Sequence, residues 1–314
     1  MKKLILSLSL LFILVSCSEE NPIEETTPSV SVSTIIRKNY NSSTNAVMST
    51  HTTSVVNNKI QSITKTNPVN SELSISTYHY VNNKISSIET NVNNILTRKT
   101  HYIYDSNDKL IEHRSDSYNS QGQIQVTSKV TFNRIQGVIY ADWTRNSISS
   151  PNFTPVTSSE IILDQNLNEI YCKKYDHLND EFTKMETLYD SNNNIIKQER
   201  FILDQNGNYT NLGTVNYNYG TAINTFSFVN LQSIGKENMM LLYHLGNDSG
   251  PVNEFDVKSY SPNVLNNFDT TLFLGFNFIA TNQVNSSNYC NYSEYSAFDG
   301  NVLTSKFSYE FLFN

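Results

Sequence analysis

The chain reads as a mainly β protein: an antiparallel up-and-down meander of repeated hairpins forming a curved sheet or open barrel, with one short helix near residues 236–245. Three observations carry this reading. Alanine, the best helix former, stands only at positions 46, 141, 222, 280 and 297, against 19 Tyr and 16 Phe, and aromatic and β-branched side chains suit a pleated, half-buried surface. An apolar residue recurs every 25 residues, at Ile60, Ile85 and Leu110, with a second series at Ile170 and Ile195; a fixed period marks a repeat architecture. Each of these positions follows a turn-forming cluster, as in "VVNNKI", "YVNNKI", "YDSNDKL" and "YDSNNNI".

The first element is an address and not part of the fold. Lys2 and Lys3 precede an apolar run from Leu4 to Val15, with the charged start and apolar middle of a secretory signal and too little length to span a bilayer as a mature helix. The run closes on Leu14-Val15-Ser16-Cys17, which resembles the lipobox of bacterial lipoproteins; an ordinary signal peptide with a chance cysteine is the plainer alternative. The lipobox resemblance implies that residues 1–16 are removed and that Cys17 becomes a lipidated N-terminus. Its acyl chains then contribute about 0.8 kcal/mol of anchoring per buried methylene, and the protein is held to a membrane without crossing it.

Residues 17–30 follow as a polar, acidic, proline-punctuated stretch, from Ser18-Glu19-Glu20 through Pro22 and Glu24-Glu25 to Pro28. No apolar periodicity runs through it, so it reads as a flexible tether. An acidic cluster directly after the lipidated cysteine also resembles the surface-export signal of Bacteroidota lipoproteins, although a generic solvated linker has the same composition. The expected location is the outer membrane, lipid-anchored, with exposure on the cell surface as one orientation. Residues 31–314 form a single repeat β domain.

Within that domain, 25 residues accommodate two strands of about nine residues and two short turns. Asn82-Asn83 suits the two positive φ angles of a type I′ loop. The longer turns Asp105–Lys109, Asp164–Asn168, Asp190–Asn194 and Asp204–Asn208 open on an Asp whose carboxylate can accept from backbone two residues on. The opposite turns fall at Asn67-Pro68-Val69-Asn70, Asn91-Val92-Asn93-Asn94, Asn119-Ser120-Gln121-Gly122 and Leu178-Asn179-Asp180. This pattern resembles the tyrosine-aspartate (YD, or RHS-type) repeats. It resembles more closely the uncharacterised repeat lipoproteins of Bacteroidota, in which "YxYDxNGKL"-like hairpins line a large sheet. The resemblance spans residues 50–218 and returns at 292–311. It implies a fold and no activity, because the matching residues are turn formers and sheet aromatics. Gly follows Asn in an internal turn only at Asn206-Gly207, and the chain is short for the enclosing shell of large RHS proteins.

The meander breaks at residues 231–246, "LQSIGKENMMLLYHLG", where good helix formers and a glycine stop at 246 predict a helix over 236–245. Strands are expected again at 255–260, 270–280, 289–298 and 303–313. In the last of these Phe307, Tyr309, Phe311 and Phe313 share one face. Such an ending is also how outer-membrane barrels finish, but "KLIEHRSDS" (109–117) puts Glu112, Arg114 and Asp116 on one face and His113, Ser115 and Ser117 on the other, leaving neither fit for lipid.

The chemistry-bearing residues are as informative for what they do not form. A net charge of −7, more negative once Lys2 and Lys3 are removed, argues against nucleic acid or anionic lipid surfaces as partners. Asp190 opens an Asp-x-Asn-x-Asn run that resembles a calcium loop, yet Ile195 and Phe201 stand where that loop needs Gly and Glu. Asp248-Ser249-Gly250-Pro251 resembles a serine-protease motif but lacks its leading Gly, its second Gly and an upstream histidine segment. The six histidines make no pair at metal-site spacing, so no metal and no cofactor is expected. Cys172 and Cys290 each lie within a strand, where both a disulfide in an oxidising compartment and two buried thiols are open. Tyr102, Tyr104 and Trp143 are candidate stacking surfaces for a sugar, with cross-strand packing as their alternative role. The expectation is therefore a non-enzymatic structural or binding module whose partners are the membrane, through its lipid, and an unidentified glycan or protein. The alternative is a glycan- or nutrient-capture lipoprotein of a surface uptake system.

Overall fold

The computed structural model describes residues 30–204, 207–243, 261–270 and 276–314. Its strands are Val32–Tyr40 (β1), Val47–Val56 (β2), Lys59–Asn67 (β3), Glu72–Val81 (β4), Lys84–Val92 (β5), Ile95–Tyr104 (β6) and Leu110–Tyr118 (β7). Ile124–Ile135 (β8), Val138–Ser147 (β9), Ser150–Leu163 (β10), Glu169–Asp176 (β11), Glu181–Tyr189 (β12), Ile195–Leu203 (β13) and Tyr209–Ile223 (β14) continue the meander. Two helices follow, Thr225–Ile234 (α1) and Lys236–Tyr243 (α2), and then Asn263–Thr270 (β15), Phe276–Val284 (β16), Cys290–Asp299 (β17) and Val302–Phe313 (β18).

Each strand pairs antiparallel with its successor, and β18 returns to β1 over a ladder from Val32↔Phe313 to Tyr40↔Lys306. The 18-stranded sheet thus closes into a barrel with no free edge. Barrels of about 16–18 strands are too wide for side chains alone to fill. Here α1 and α2 fill one end from inside. Val229, Ile234, Met239 and Leu241 pack with the inward residues Ile35, Ile60, Ile85, Leu110 and Ile161 in one core. Ile60, Ile85 and Leu110, each one 25-residue period from the next, are therefore inward side chains that grip this helical plug.

Local chemistry explains the turns at the plugged end. Asp190 accepts at Oδ1 from the amides of Asn192 and Asn194, both at 2.8 Å, and at Oδ2 from the Asn194 side-chain amide. Asp105 and Asp164 make the same backbone pair. The fourth residue of each turn adopts positive φ: Asp108 at 65°, Leu167 at 59° and Asn193 at 64°. Asn57-Asn58 and Asn82-Asn83 at this end, like Asn93-Asn94 at the opposite rim, carry the paired positive φ values of type I′ loops. The turns are also tied to one another. Lys59 Nζ donates to the Asn83 turn, Lys84 Nζ to Asp108 O at 3.0 Å, and Asn168 Nδ2 to Asn193 Oδ1 at 2.9 Å. The Lys or Asn that closes one turn thereby reaches the positive-φ residue of the next, about one period on.

Three sequence expectations are corrected. The turns at Asp164 and Asp190 are 26 residues apart, so Glu169 (2% exposed) is the counterpart of Ile195 (3%), while Ile170 (40%) faces outward. The helix at 236–245 is α2, but α1 precedes it. Its sequence "TFSFVNLQSI" is rich in aromatic, β-branched and hydroxyl residues, and it is held helical by the Asn224 cap, which accepts from Ser227 N at 3.2 Å, and by Gly235 at φ 85°. The expected strand 270–280 spans the end of β15 and the start of β16; the expected strand 255–260, the glycine stop at 246 and Asp248–Pro251 lie outside the described residues. Cys172 and Cys290 are both free and buried, on β11 and β17 with β12 to β16 between them around the wall, too far apart for a bridge.

Candidate functional site: the lumen beyond the plug

The plug is fastened by polar contacts at the ends of the inward strands. Ser233 Oγ accepts from Ile60 N at 2.9 Å, Thr225 Oγ1 donates to Cys290 O at 2.6 Å, and Asn238 Nδ2 donates to the Tyr104 hydroxyl at 3.3 Å. Glu237 of α2 takes Lys109 and Arg134 together, Arg134 Nη2 at 2.8 Å. Burial works to raise the Glu237 pKa, but the hydrogen bonds from Lys109 and Arg134 outweigh it and hold the carboxyl below its usual value.

Beyond the plug, toward the opposite rim, lies a cavity of about 500 Å³, within the ~300–1,000 Å³ range of small-molecule sites. Phe226 of α1, Tyr309, Ile35, Tyr78 and Ile88 give it apolar surface; Ser74, Ser76, Thr90 and Thr97 give it hydroxyls; Arg37, Lys65 and Arg98 give it charge. Strand alternation explains the set. Ile35 and Arg37 share the inward face of β1, opposite Thr53 and His51 of β2, which in turn face Ile63 and Lys65 of β3. Among the described residues lining this cavity there is no Asp or Glu. His51 is held neutral, its pKa lowered to about 4 by burial and by the neighbouring charges of Arg37 and Lys65.

The outer wall differs. Four of its lysines pair with acids across or along the strands, Lys99–Glu89 at 2.7 Å, Lys184–Glu186 at 2.8 Å, Lys197–Glu199 at 3.1 Å and Lys306–Glu294 at 3.0 Å, while Lys129 and Lys173 lie over the rings of Phe153 and Phe182. A lipid-facing barrel requires an apolar band there. One shallow concavity of about 210 Å³ on this wall holds Tyr140, Tyr175 and Phe182, the last two stacked at 4.3 Å. Another hollow of about 690 Å³ is lined by Asp190, Asn194, Tyr217 and Asn263. Its polar groups are already engaged, Asn194 with Asp190 and Asn263, and Tyr217 with Gln198.

The sequence-predicted stacking residues are placed differently from one another. Tyr102 is 5% exposed and packed edge-on to His113, ring centroids 5.0 Å apart, so it offers no face to a ligand. Tyr104 is half-buried under α2. Trp143 is half-buried with its Nε1 donating to Ser128 Oγ at 3.2 Å. Cys17 lies outside the described residues. Among the described residues no three His, Cys, Asp or Glu side chains gather as metal ligands. The lumen cations Arg37, Lys65 and Arg98 were missed because period-two alternation shows that they share a face with Ile35, Ile63 and Thr100 without showing that this face encloses a space.

No family model matches the chain, and no curated protein does. Among solved structures, a porin-like protein from Bacteroides vulgatus is similar at 10% identity and TM-score 0.42, covering 90% of this chain and 98% of that one. A porin-like protein from Bacteroides uniformis is similar at 7% identity and TM-score 0.33, with the same coverages of 90% and 98%. A protein of unknown function from Bacteroides fragilis is similar at 13% identity and TM-score 0.27, covering 46% of this chain and 91% of its own. Likeness at this level leaves the reading of the site to the chain's own residues.

Proposed function

We propose that the protein is a lipid-anchored cell-envelope barrel that acts as a non-enzymatic binding module and receives a small ligand in its lumen. The observation that carries this reading is the cavity beyond the plug, where hydroxyl, aromatic and cationic side chains converge on one enclosed space. A barrel serving only as a spacer has no need of a cup closed at one end. The ion pairs Lys99–Glu89, Lys184–Glu186, Lys197–Glu199 and Lys306–Glu294 on the outer wall support a body held at the membrane by the Cys17 lipid and not by its strands. The non-enzymatic reading is supported by the engagement of the obvious acids: Asp105, Asp164 and Asp190 are spent on turn amides and Glu237 on two cations.

The test is a saccharide panel on the mature protein and on Ser74→Trp, which fills the cavity from a position with no side-chain hydrogen bond to lose. Binding by the parent that disappears in Ser74→Trp, with the far-ultraviolet spectrum unchanged, is the expected result. Binding retained by the variant moves the site to the outer wall and ends this reading, and turnover of any panel member ends its non-enzymatic part.

A further inference from the structure

We infer that the lumen cavity takes an acidic saccharide, a sugar bearing carboxylate groups, an inference that rests on the lumen-binding reading above. The starting observation is that two cations lining the cavity, Arg37 and Lys65, have no carboxylate partner among the described residues. In the lumen, Lys65 Nζ makes no hydrogen bond or ion pair among the described residues. Arg37 uses only Nε, donating to Asn39 Oδ1 at 3.1 Å, while its guanidinium lies over the rings of Phe307 and Tyr309 at 5.1 and 5.7 Å. Its Nη groups have no protein partner among the described residues. Half-buried cations without counter-charges are unfavourable, and two facing one cavity raise each other's energy. His51, paired on β2 between Arg37 and Lys65, is neutral and brings no compensation.

Acids on lumen-side positions, such as Glu72, Asp176 and Glu181, sit beside the turns of the opposite rim and not in the cavity lining. The same alternation that buries Cys172 and Met185 puts Lys174 and Arg200 on the lumen side of the facing wall. The cavity end of the lumen thus gathers cations while its described acids stay at the rim, an arrangement that draws a small anion toward the cavity. Arg37 is built for a carboxylate: the bond to Asn39 and the two rings hold its plane, and a planar fork gives paired charge-assisted hydrogen bonds.

The remaining lining selects the body of the ligand. Ser74, Ser76, Thr90 and Thr97 form a hydroxyl wall beside Lys65, with Tyr78, Phe226 and Tyr309 supplying apolar surface. Hydroxyl groups on one side, ring faces on another and cations between them match a molecule that carries hydroxyls, C–H faces and carboxylates together. A bare oxyanion would use the cations and leave most of a 500 Å³ space to water.

The experiment is calorimetric titration of the mature protein with galacturonobiose, with galactobiose, which is the same disaccharide skeleton without carboxylates, and with inorganic phosphate. Galacturonobiose is expected to bind at least ~10-fold more tightly than galactobiose, the order of one charge-assisted contact, and to weaken as ionic strength rises. Arg37→Gln and Lys65→Gln should each remove most of that preference while leaving the circular dichroism spectrum unchanged. Equal affinity for the two disaccharides, both lost in Ser74→Trp, would overturn the acidic-sugar inference and leave lumen binding standing. Phosphate binding that is lost in Arg37→Gln, with no binding of galacturonobiose, would overturn it in favour of a simple oxyanion. No binding of any saccharide or of phosphate would overturn both readings.

Discussion

The hydroxyl of Tyr80 donates to the backbone carbonyl of Ile60 at 2.7 Å, and Tyr189 repeats the contact to Glu169 at 2.9 Å, each reaching 20 residues back in the chain. The residue reached is in both cases the first inward position of the preceding hairpin. Tyr80 and Tyr189 thus each lock their own hairpin to the one before, and Asp190 folds the turn that follows Tyr189. Tyr80→Phe should lower stability by about 0.5–1.5 kcal/mol, the net value of a hydrogen bond, and Tyr189→Phe by a similar amount. Urea midpoints equal to that of the parent in both variants would show that the contact is incidental.

Asp190 should matter as a turn former and not as a metal ligand. Asp190→Ala removes two backbone acceptor bonds and one to Asn194, with an expected loss of about 1–3 kcal/mol. Asp190→Asn, which keeps one acceptor oxygen, should recover part of it. Added calcium should leave the melting temperature of the parent where it was; a rise that Asp190→Asn abolishes would restore the ion-loop reading.

Glu169 stands at a position that is Ile or Leu in its repeat counterparts, and burial pushes its carboxyl pKa well above the usual value. The folded state therefore keeps a proton that the unfolded state has released, so stability falls as pH rises from about 4.5 toward the folded pKa. Glu169→Gln should be more stable than the parent at neutral pH, with the gain shrinking to nothing as pH falls below that carboxylate range. Thermal melts showing a constant difference at every pH would contradict the assignment.

His113 titrates in the opposite sense. It is 2% exposed, and burial lowers its pKa to about 4. The unfolded chain takes up its proton near the ordinary value of about 6.5, so stability is lost as pH falls through the window between those values, by up to about 3 kcal/mol for the full shift. Denaturant titrations of His113→Phe should show a shallower decline over that window than the parent. His51 should contribute a further part of the remaining slope through its own shift to about 4.

Cys17 carries the anchoring proposal. Cys17→Ala should leave the membrane fraction and lack the acyl mass found on the N-terminal peptide of the parent. An unmodified Cys17 in the parent by mass spectrometry would end the lipoprotein reading.

The sequence by itself determined the hairpins and their turns, because those are decided within a few residues. An Asp carboxylate caps the amides two and four positions on, and Asn accepts the positive φ of a two-residue loop whatever the rest of the chain does. It also determined that Ile60, Ile85, Leu110 and Ile195 share a face. Only the tertiary structure decided which face encloses space, since alternation is symmetric between the two sides of a sheet until curvature breaks the symmetry. Closure depended on β1 meeting β18 across nearly the whole chain, the plug on an α1 sequence whose local preferences lean toward strand, and the counterpart of Ile195 on one extra residue that places Glu169, not Ile170, against the helices. The convergence of Arg37, Lys65 and Arg98 belongs to the same class: three cations on three strands become neighbours only when a wide barrel bends their shared face inward around a single cavity.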